Sequence, residues 1–418
     1  MSVLNRVNQL GFYIITGNPK TDQTTHLVPA RTFCAPCYSA RVPQDEITEA
    51  VLSREEVIRY LEGGGGQTQD QAHAAIHGYL QELRTTQRYK MYRALQHPLY
   101  PILRKIKRVQ EGIDVVRAAT NNGHVIYASN HKSHTDYLVE PLVLDDNGIR
   151  PPVIAAGINL FGGALGLIHK HVTGAIPIRR ETKDPAYLVT LKAYVAELLR
   201  RTDLFLYLEG GRSYSGELKP FKTLLLRAAV QTNQSDLVII PTAIAYDLVL
   251  EDFILSRQKV KRTQRPFGRE VAEMIRYAVG YKSRAIVSFG QPITMGDYDP
   301  DARRDMVRLQ RRVREAVGRL YKVLPTALVA ASLRPSMERT ELEDRVDQLI
   351  ETLKSSKANL DVTSGRAAID AAIGLLETRG IVVTDGSRYR VRERAVIRYY
   401  AHTIDHLLKR RGESSHTH

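Results

Sequence analysis

The sequence predicts an α/β protein built on a largely parallel sheet flanked by helices, with a helical N-terminal region and a small C-terminal domain of helices and a β-hairpin. Two patterns indicate this class. Short apolar runs recur along the middle of the chain, and amphipathic stretches at helical spacing separate them. Strands that alternate with helices form parallel sheets, because each crossover helix returns the chain to the same end of the sheet.

Five apolar runs are the expected strands of this core. They are Val125–Ala128, Val153–Ala156, Leu204–Leu208, Leu237–Ala245 and Ala285–Phe289. A helix should begin at Asp184 and Pro185, because aspartate is a good N-cap and proline is favoured in the first turn. A second helix should cover Leu224 to Gln231. Apolar residues also repeat at helical spacing from Ile102 to Val116, which predicts a helix ahead of the first strand.

Three regions are expected along the 418 residues. Residues 1–95 form a helical N-terminal region that contains the linker-like run Gly63–Gly66. Residues 96–330 hold the α/β core. Residues 334–411 form a small C-terminal domain, in which two helices precede a hairpin at Asp385-Gly386 and a last helix. This order also resembles a winged helix, which keeps a nucleic-acid-binding function open.

A strongly basic amphipathic helix is predicted over residues 301–324. Arginines fill one side of it, and the other side carries the apolar residues Met306, Leu309, Val313, Val317 and Leu320. The pattern fits a helix on a membrane surface and a core-packed helix with a solvated basic face equally well.

The charge balance indicates anionic partners. The chain has 60 basic and 45 acidic residues, a net charge of +15, which suits nucleic acid, a phospholipid surface, phosphorylated metabolites or an acidic carrier protein. No run reaches the ~20 apolar residues that a membrane span needs, and the nearest is Gly157–Ile168. Cys34 and Cys37 are expected to be an incidental pair of thiols, because two cysteines make no disulfide framework. The expected location is the cytosol or the cytosolic face of a membrane.

His131 and Asp136 form the most informative motif, because they directly follow the predicted strand Val125–Ala128. In one continuous helix the two side chains would diverge by about 140°, so they can meet only if His131 lies in a turn and Asp136 in the first helical turn. Ser129 and Asn130 are plausible N-caps of that helix. A histidine that a neighbouring carboxylate orients can act as the general base that activates a nucleophile.

Further motifs that suit a phosphate-bearing ligand follow other apolar runs. They are Arg179-Arg180, the block Glu209-Gly210-Gly211-Arg212-Ser213, Lys222, and Pro241 within an apolar strand. Guanidinium groups hold phosphate through paired hydrogen bonds, and glycines let backbone N–H groups approach an oxyanion. The carboxyl ends of parallel strands meet at one crevice, so these groups should lie close together. A proline inside a strand predicts an edge strand or a bulge at Pro241.

In this combination of motifs the chain resembles the glycerol-3-phosphate acyltransferase family of glycerolipid acyltransferases. The resemblance covers about residues 120–295 and the tail from about 365 to 408. It rests on His-x4-Asp at 131–136, on Ala155-Ala156-Gly157-Ile158-Asn159-Leu160, on Ile178-Arg179-Arg180, on the block at 209–213 and on Pro241. It implies transfer of a long acyl chain from an acyl thioester to the sn-1 hydroxyl of glycerol 3-phosphate, the first step of phospholipid biosynthesis.

The resemblance also implies roles for single residues. His131 would be the base and Asp136 its partner, with His134 as a weaker competitor for the base. The glycerol-phosphate site would contain Arg179, Glu209, Gly210, Arg212, Ser213 and Lys222, with Pro241 in a substrate-pocket motif. The donor would be acyl-CoA or acyl-acyl carrier protein, and no cofactor or metal is expected. The enzyme would bind peripherally to the anionic cytoplasmic face of the cell membrane.

Two alternatives stay open at this point. One keeps the chemistry and changes the acceptor to dihydroxyacetone phosphate or a lysophospholipid. The other is a nucleic-acid-binding protein that uses the basic surface and the winged-helix-like tail. It leaves the His131–Asp136 pair and the block at 209–213 without a role, so no nucleic acid partner is expected.

Overall fold

The computed structural model describes residues 44–63, 68–86, 106–161, 174–179, 182–257 and 283–408. These residues belong to one compact unit. Cys34, Cys37, Arg180 and residues 162–168 of the apolar segment lie outside the described residues, as do Gly64–Gly66 of the linker. The region boundaries near 95 and 334 stay predictions.

The core of the protein is a mixed sheet of eight strands in which parallel pairs predominate. The strands are β1 (Ile106–Glu111), β2 (Val125–Ser129), β3 (Val153–Gly157), β4 (Ala175–Ile178), β5 (Leu204–Tyr207), β6 (Val238–Tyr246), β7 (Ser283–Phe289) and β8 (Ile293–Thr294). Their order is β1-β7-β6-β2-β5-β3-β4, and the short β8 also pairs with β6. Among the described strands of this sheet, only the pairs β6–β7 and β6–β8 are antiparallel. The predicted fold class is confirmed.

Strand β2 lies in the middle of the sheet because its sequence is apolar on both faces. All five of its residues are buried. It pairs in parallel with β5 on one side and with β6 on the other, so Ile126 is opposite both Leu204 and Ile239. A strand covered by helices on both faces needs such a continuous apolar run. The carboxyl ends of β2, β5 and β6 therefore lie side by side at one edge of the sheet.

The described chain begins and ends with helices, and helices lie between most of the strands. They are α1 (Gln44–Leu52), α2 (Glu55–Gly63), α3 (Gln69–Leu83), α4 (Ile113–Asn122), α5 (Asp136–Asp146), α6 (Pro185–Leu199), α7 (Leu224–Val230), α8 (Asp252–Arg257), α9 (Arg303–Leu320), α10 (Pro325–Ser332), α11 (Arg339–Ser355), α12 (Gly365–Thr378), α13 (Arg394–His402) and α14 (Asp405–Leu408). The predicted start of α6 is confirmed, since the Asp184 carboxylate accepts a hydrogen bond from the backbone N–H of Ala186 at 2.9 Å.

The basic helix α9 packs into the core. Met306, Leu309, Val313 and Val317 are buried, so its apolar side is covered by the protein itself. The arginine side faces solvent. The described residues contain no helix that is long and apolar enough to cross a membrane.

The prediction of one helix from Ile102 to Val116 is wrong. Residues Ile106–Glu111 form β1, whose six residues pair in parallel with β7, and α4 begins only at Ile113. Between them Gly112 has a φ of +73°, and a Cβ there would lie 2.3 Å from the carbonyl oxygen of Phe289. The ladder with β7 thus overrides the helical spacing, and a glycine makes the turn that separates the two elements.

The C-terminal part has the predicted hairpin and one strand more than predicted. Strands β10 (Val382–Asp385) and β11 (Arg388–Val391) pair around the Asp385-Gly386 turn, where Gly386 has a φ of +61°. The additional strand β9 (Ser336–Glu338) pairs antiparallel with β11. Three residues are too short a run for sequence periodicity to reveal.

Candidate active site

The loop from Asn130 to Thr135 joins β2 to α5 and is fixed to the sheet at its first residue. The Asn130 side chain donates to the carbonyl oxygen of Ile244 at 3.0 Å and accepts from the backbone N–H of Ile244 at 2.8 Å. It therefore completes the ladder between β2 and β6. The prediction that Ser129 and Asn130 cap the helix is wrong, because Thr135 precedes the first helical residue and both earlier residues are used elsewhere.

His131 and Asp136 meet across this loop. Nδ1 of His131 lies 2.8 Å from Oδ2 of Asp136, and the side chains are 12% and 0% exposed. A carboxylate can only accept, so Nδ1 carries the proton and Nε2 offers a lone pair. Within the described residues, Nε2 of His131 has no hydrogen bond. The loop thus presents a base that is held at one nitrogen and open at the other.

Four donors hold the Asp136 carboxylate in place. Besides His131, the backbone N–H groups of Lys132 and Ser133 donate to Oδ2 at 2.7 and 2.9 Å. The hydroxyl of Tyr246, at the end of β6, donates to Oδ1 at 2.8 Å. A buried carboxylate with so many hydrogen-bond donors cannot rotate freely.

Burial dominates the electrostatics of the imidazole. It lowers the pKa of His131 below the ordinary value of 6.5, although Asp136 acts in the opposite direction. The ring also lies against the Tyr207 ring, with centroids 4.4 Å apart and planes inclined by 24°. The base is therefore neutral at pH 7 and has a fixed plane.

Glu209 connects the end of β5 to the same loop. Its carboxylate accepts from the backbone N–H of His131 at 2.9 Å and from the backbone N–H of Lys219 at 3.1 Å. The backbone N–H of Ser213 donates to the carbonyl oxygen of His131 at 3.0 Å. Burial raises the pKa of Glu209. This residue therefore orients the loop by accepting hydrogen bonds from its backbone.

Arg212 lies beside the histidine loop and is almost fully buried. Its Nη1 is 3.4 Å from Oε1 of Glu251, which also accepts from the backbone N–H of His134 at 2.6 Å. The other oxygen of Glu251 accepts from the Ser133 hydroxyl at 2.7 Å. Arg212 also faces the Tyr214 ring, 6.0 Å from its centroid. The guanidinium therefore lies at the strand ends, as predicted, with an acidic partner that was not predicted.

Ser213, Gly210 and Lys222 lie in the turns that follow β5. The hydroxyl of Ser213 donates to the carbonyl oxygen of Glu217 at 2.7 Å, so it stabilises the turn. Lys222 is exposed, and its backbone N–H donates to the carbonyl oxygen of Leu208 at 2.7 Å. Its side chain passes over Gly210, where a Cβ would lie 3.4 Å from the Lys222 Cγ. The lysine thus has access to solvent next to the glycine turn.

Arg179 follows β4 and is engaged by the N-terminal helices. Its Nε donates to Oε1 of Glu82 at 2.8 Å, and its Nη2 bonds to the other oxygen of that carboxylate. The rings of Tyr79 and Tyr187 flank the guanidinium at 5.1 and 5.6 Å. Because β4 is three strands away from β2, Arg179 starts about 14 Å from the axis of β2, at the same edge of the sheet.

Pro241 is in the interior of the sheet, so the predicted edge strand is wrong. Its neighbour in β2 is Ala128, and on its other side β6 changes partner from β8 to β7. The carbonyl oxygen of Pro241 accepts from the backbone N–H of Gly290, in the connection between β7 and β8. The missing N–H faces this break in the ladder, where no strand requires it.

Sequence reasoning missed Tyr207, Tyr246 and Glu251, which complete the site. Each lies at or just beyond the carboxyl end of β5 or β6, the position at which chemistry-bearing side chains are expected in parallel sheets. Inspection of every strand end would have found them. In the described part of the chain, no group of three or more His, Cys, Asp and Glu side chains could hold a metal ion.

Comparisons with known proteins match the part of the chain that contains this site. Residues 107–245 match the family model described as Acyltransferase. The chain is similar to the glycerol-3-phosphate acyltransferases of Aeromonas hydrophila, at 31% identity over 239 residues, and Shewanella amazonensis, at 27% over 300 residues. It is also similar to the putative acyltransferase plsB1 of Mycobacterium bovis, at 28% over 310 residues.

These alignments cover 55%, 63% and 69% of this chain, but 29%, 37% and 49% of the three relatives. The chain therefore spans less than half the length of each of them. Among solved structures, the 1-acyl-sn-glycerophosphate (LPA) acyltransferase PlsC of Thermotoga maritima is similar, at 16% identity and a TM-score of 0.30, over 51% of this chain and 69% of that one.

Proposed function

We propose, from the match of residues 107–245 to the Acyltransferase family model, that this chain transfers a fatty acyl group from an acyl thioester to the sn-1 hydroxyl of glycerol 3-phosphate. The similarity to the glycerol-3-phosphate acyltransferases of Aeromonas hydrophila and Shewanella amazonensis supports this acceptor. The product is 1-acylglycerol 3-phosphate, the first acylated intermediate of phospholipid synthesis. The observation that carries the proposal is the buried His131–Asp136 pair at the carboxyl ends of the strands.

The proposed reaction uses the substrate hydroxyl as the nucleophile. Nε2 of His131 accepts the hydroxyl proton while that oxygen attacks the thioester carbonyl. Asp136 keeps the proton on Nδ1 and stabilises the imidazolium that forms. The tetrahedral intermediate then collapses, the C–S bond breaks, and the thiolate takes up the proton that Nε2 of His131 had accepted, which restores the neutral imidazole. A thiolate leaves readily, so the protein needs no strong general acid for this step.

Cationic groups around the dyad are proposed to hold the phosphate. Arg212 adjoins the histidine loop, and Lys222 is exposed beside Gly210. Arg179 lies along the same edge of the sheet. Guanidinium and ammonium groups suit a phosphate dianion, and they add positive field where the substrate enters. Glu209 and Ser213 shape the loop, and Pro241 is proposed to line the pocket floor.

The donor and the location are further parts of the proposal. Acyl-CoA and acyl-acyl carrier protein are both anionic, as is the cytoplasmic face of the cell membrane, so the excess of 15 positive charges suits each of them. The solvent side of α9 carries Arg303, Arg304, Arg308, Arg311 and Arg312. We propose peripheral binding to anionic lipid through such surfaces, which flotation of the protein with anionic and zwitterionic vesicles at low and high salt would test.

The test of function is an assay with radiolabelled glycerol 3-phosphate and each acyl donor. His131→Ala should lower turnover at least ~100-fold, the usual worth of a general base. A matched control is His124→Ala, because His124 pairs with Asp203 at 3.4 Å at the opposite end of β2. It should keep most of the activity. Retained turnover in a folded His131→Ala variant would refute the assignment, and competition by dihydroxyacetone phosphate or a lysophospholipid would identify another acceptor.

A further inference from the structure

A second buried carboxyl group lies beneath the dyad, and the reaction described above does not use it. Glu140 is one helical turn after Asp136 on α5, and it is fully buried. Its Oε1 accepts from the hydroxyl of Ser129, the last residue of β2, at 2.6 Å. Its Oε2 accepts from the hydroxyl of Tyr207, the last residue of β5, at 2.7 Å. One side chain therefore joins α5 to the ends of the two strands that flank the site.

The tyrosine in this network is the one that stacks on the base. The Tyr207 ring lies 4.4 Å from the His131 ring, and its hydroxyl is fixed by Glu140. Asp136 determines the position of the imidazole edge, and Tyr207 supports its face. Asp136 and Glu140, four positions apart on α5, thus restrict the imidazole of His131 in two ways. Asp136 does so through its hydrogen bond to the ring, and Glu140 does so through Tyr207.

The two carboxyl groups have different surroundings. Asp136 receives four hydrogen bonds, two of them from backbone N–H groups, which cannot accept. Glu140 has two hydroxyl partners, and each hydroxyl can donate or accept. Burial and then the charge of Asp136 raise the pKa of Glu140 well above its ordinary value of 4.5. Both carboxylate oxygens accept from the hydroxyls when Glu140 is ionised; when it is neutral, one hydroxyl becomes the acceptor of the carboxyl proton and the other still donates.

We propose that Glu140 is a positioning residue for His131, and that it acts by locking Tyr207 as a platform under the imidazole. The proposal rests on the acyl transfer proposed above, because it concerns the base of that reaction. In this proposal the hydrogen bonds between Ser129, Glu140 and Tyr207 help to hold the loop from Asn130 to Thr135 in place. The role requires a hydrogen-bonding group of this shape, and it requires no negative charge.

Glu140→Gln and Glu140→Leu distinguish a role that needs a hydrogen-bonding group at position 140 from one that needs a negative charge there. Glutamine offers a donor NH2 group and an acceptor oxygen, so it can replace the O–H and C=O of a neutral carboxylic acid, and it should keep kcat and the pH profile of the native protein. Leucine cannot hydrogen-bond to the Tyr207 hydroxyl, so the tyrosine should move and water should reach the His131 ring. It should lower kcat by about 10- to 100-fold, the cost of a base misplaced by a fraction of an ångström to one ångström, with little change in KM. Glu197→Leu removes a buried glutamate of α6 and is the matched control.

A second measurement does not depend on activity. The chain has 13 histidines, and comparison with His131→Ala assigns the NMR signal of His131 in protein labelled at the imidazole carbons. In Glu140→Leu the titration of His131 should move upward toward 6.5, because water relieves the burial that lowers it. Tyr207→Phe keeps the ring and removes the hydroxyl. It should move the titration in the same direction by less, which keeps the test usable if Glu140→Leu does not fold.

Two results would overturn the inference. One is an unchanged kcat and an unchanged His131 titration in folded Glu140→Leu or Tyr207→Phe. The other is a Glu140→Gln variant that is as impaired as Glu140→Leu, which would mean that the charge is what matters. If the native protein transfers no acyl group while the titration still moves as expected, the proposed reaction fails and the positioning role stands.

Discussion

The charge on one imidazole determines whether the loop after β2 can act as a base. Burial favours the neutral ring of His131, and the Asp136 carboxylate favours the protonated ring. Burial is the larger of the two, so the ring is neutral over a wider range of pH than a free histidine. Because the carboxylate also fixes the tautomer, the same pair provides both the lone pair and its direction.

This balance predicts the pH dependence of the reaction. A group whose folded pKa is lowered loses its proton at a lower pH, so the active neutral form of His131 persists below 6.5. The acid limb of kcat/KM should therefore have its midpoint below 6.5. The measurement is kcat/KM for glycerol 3-phosphate from about pH 5 to 8. A midpoint at or above 6.5 would mean that the carboxylate outweighs burial.

Sequence reasoning could place this pair but not its surroundings. His131 and Asp136 are five positions apart, and a strand end followed by a helix start permits only one way for them to meet. Tyr246 reaches Asp136 from 110 positions away. Glu251 reaches Ser133 from 118 positions away. Such contacts depend on strand order, which one sequence does not encode in any local pattern.

At the scale of elements, α3 and the residues after it cover the exposed edge of the sheet. The Thr85 hydroxyl donates to the carbonyl oxygen of Ala175 at 2.9 Å and so occupies an edge acceptor of β4. Tyr79 packs edge-on against Tyr187, with centroids 5.3 Å apart. Edge strands need such cover because their open backbone groups invite pairing with other chains. Helix α3 also brings Glu82 into an ion pair with Arg179, whose side chain is 41% exposed.

This contact predicts that Glu82 competes with the phosphate for Arg179. Glu82→Gln removes the charge and keeps the size, so it should lower the KM for glycerol 3-phosphate by up to about fivefold, the worth of a partly exposed ion pair. The KM for the acyl donor should stay the same. Glu55→Gln is the control, because Glu55 pairs with Arg59 on the surface of α2. An unchanged KM together with a lower melting temperature would mean that the pair only stabilises α3.

Helices and strands were predictable where the local apolar pattern of the segment determines its conformation. The five predicted strands and α6, α7 and α9 lie where the periodicity placed them. β1 was mistaken for a helix because it is an edge strand with one buried residue at its start, Ile106, and mixed exposure after it. Its strand conformation comes from the ladder with β7, 177 positions further along the chain. Tertiary pairing decides such segments.

At the scale of the whole molecule, the C-terminal part packs close to the loop from Asn130 to Thr135. The buried Lys132 donates to the carbonyl oxygen of Gly216 at 2.5 Å and faces the ring of Tyr321, 5.2 Å from its centroid. Gly216 has a φ of +89°, and a Cβ there would lie 1.9 Å from the carbonyl oxygen of Tyr399. Lys132 thus bonds to a glycine that packs against α13, and it faces the residue that follows α9. Substitutions in these helices should therefore affect the loop.

The C-terminal part has the element order of a winged helix, and its surface carries both acidic and basic side chains. The order α10, β9, α11, α12, β10, β11 places α12 where a recognition helix would be. The exposed charges of α12 are Arg366, Asp370 and Glu377, an excess of acid. In the hairpin, Arg388 pairs with Glu338. Ion pairs of Arg388 with Glu338 and of Arg390 with Asp385 thus neutralise part of this surface charge.

A buried ion pair between Arg379 and Asp252 joins the C-terminal part to the core. Nη2 of Arg379 lies 2.8 Å from Oδ1 of Asp252, with side chains 10% and 0% exposed, and the Tyr400 hydroxyl donates to Oδ2 at 2.8 Å. Burial raises the pKa of Asp252 even with the arginine present. Removing the cation leaves a buried anion without its main partner.

Arg379→Ala should therefore lower the free energy of unfolding by about 3–5 kcal/mol at pH 7. Activity should fall with it, because the C-terminal helices would no longer hold the loop around Lys132. The loss should shrink as the pH falls toward 3.8, the ordinary pKa of aspartate, since a protonated Asp252 needs no cation. Urea unfolding at several pH values measures this, with Arg388→Ala as an exposed control. Equal effects of the two substitutions would show that the ion pair does not hold the two parts together.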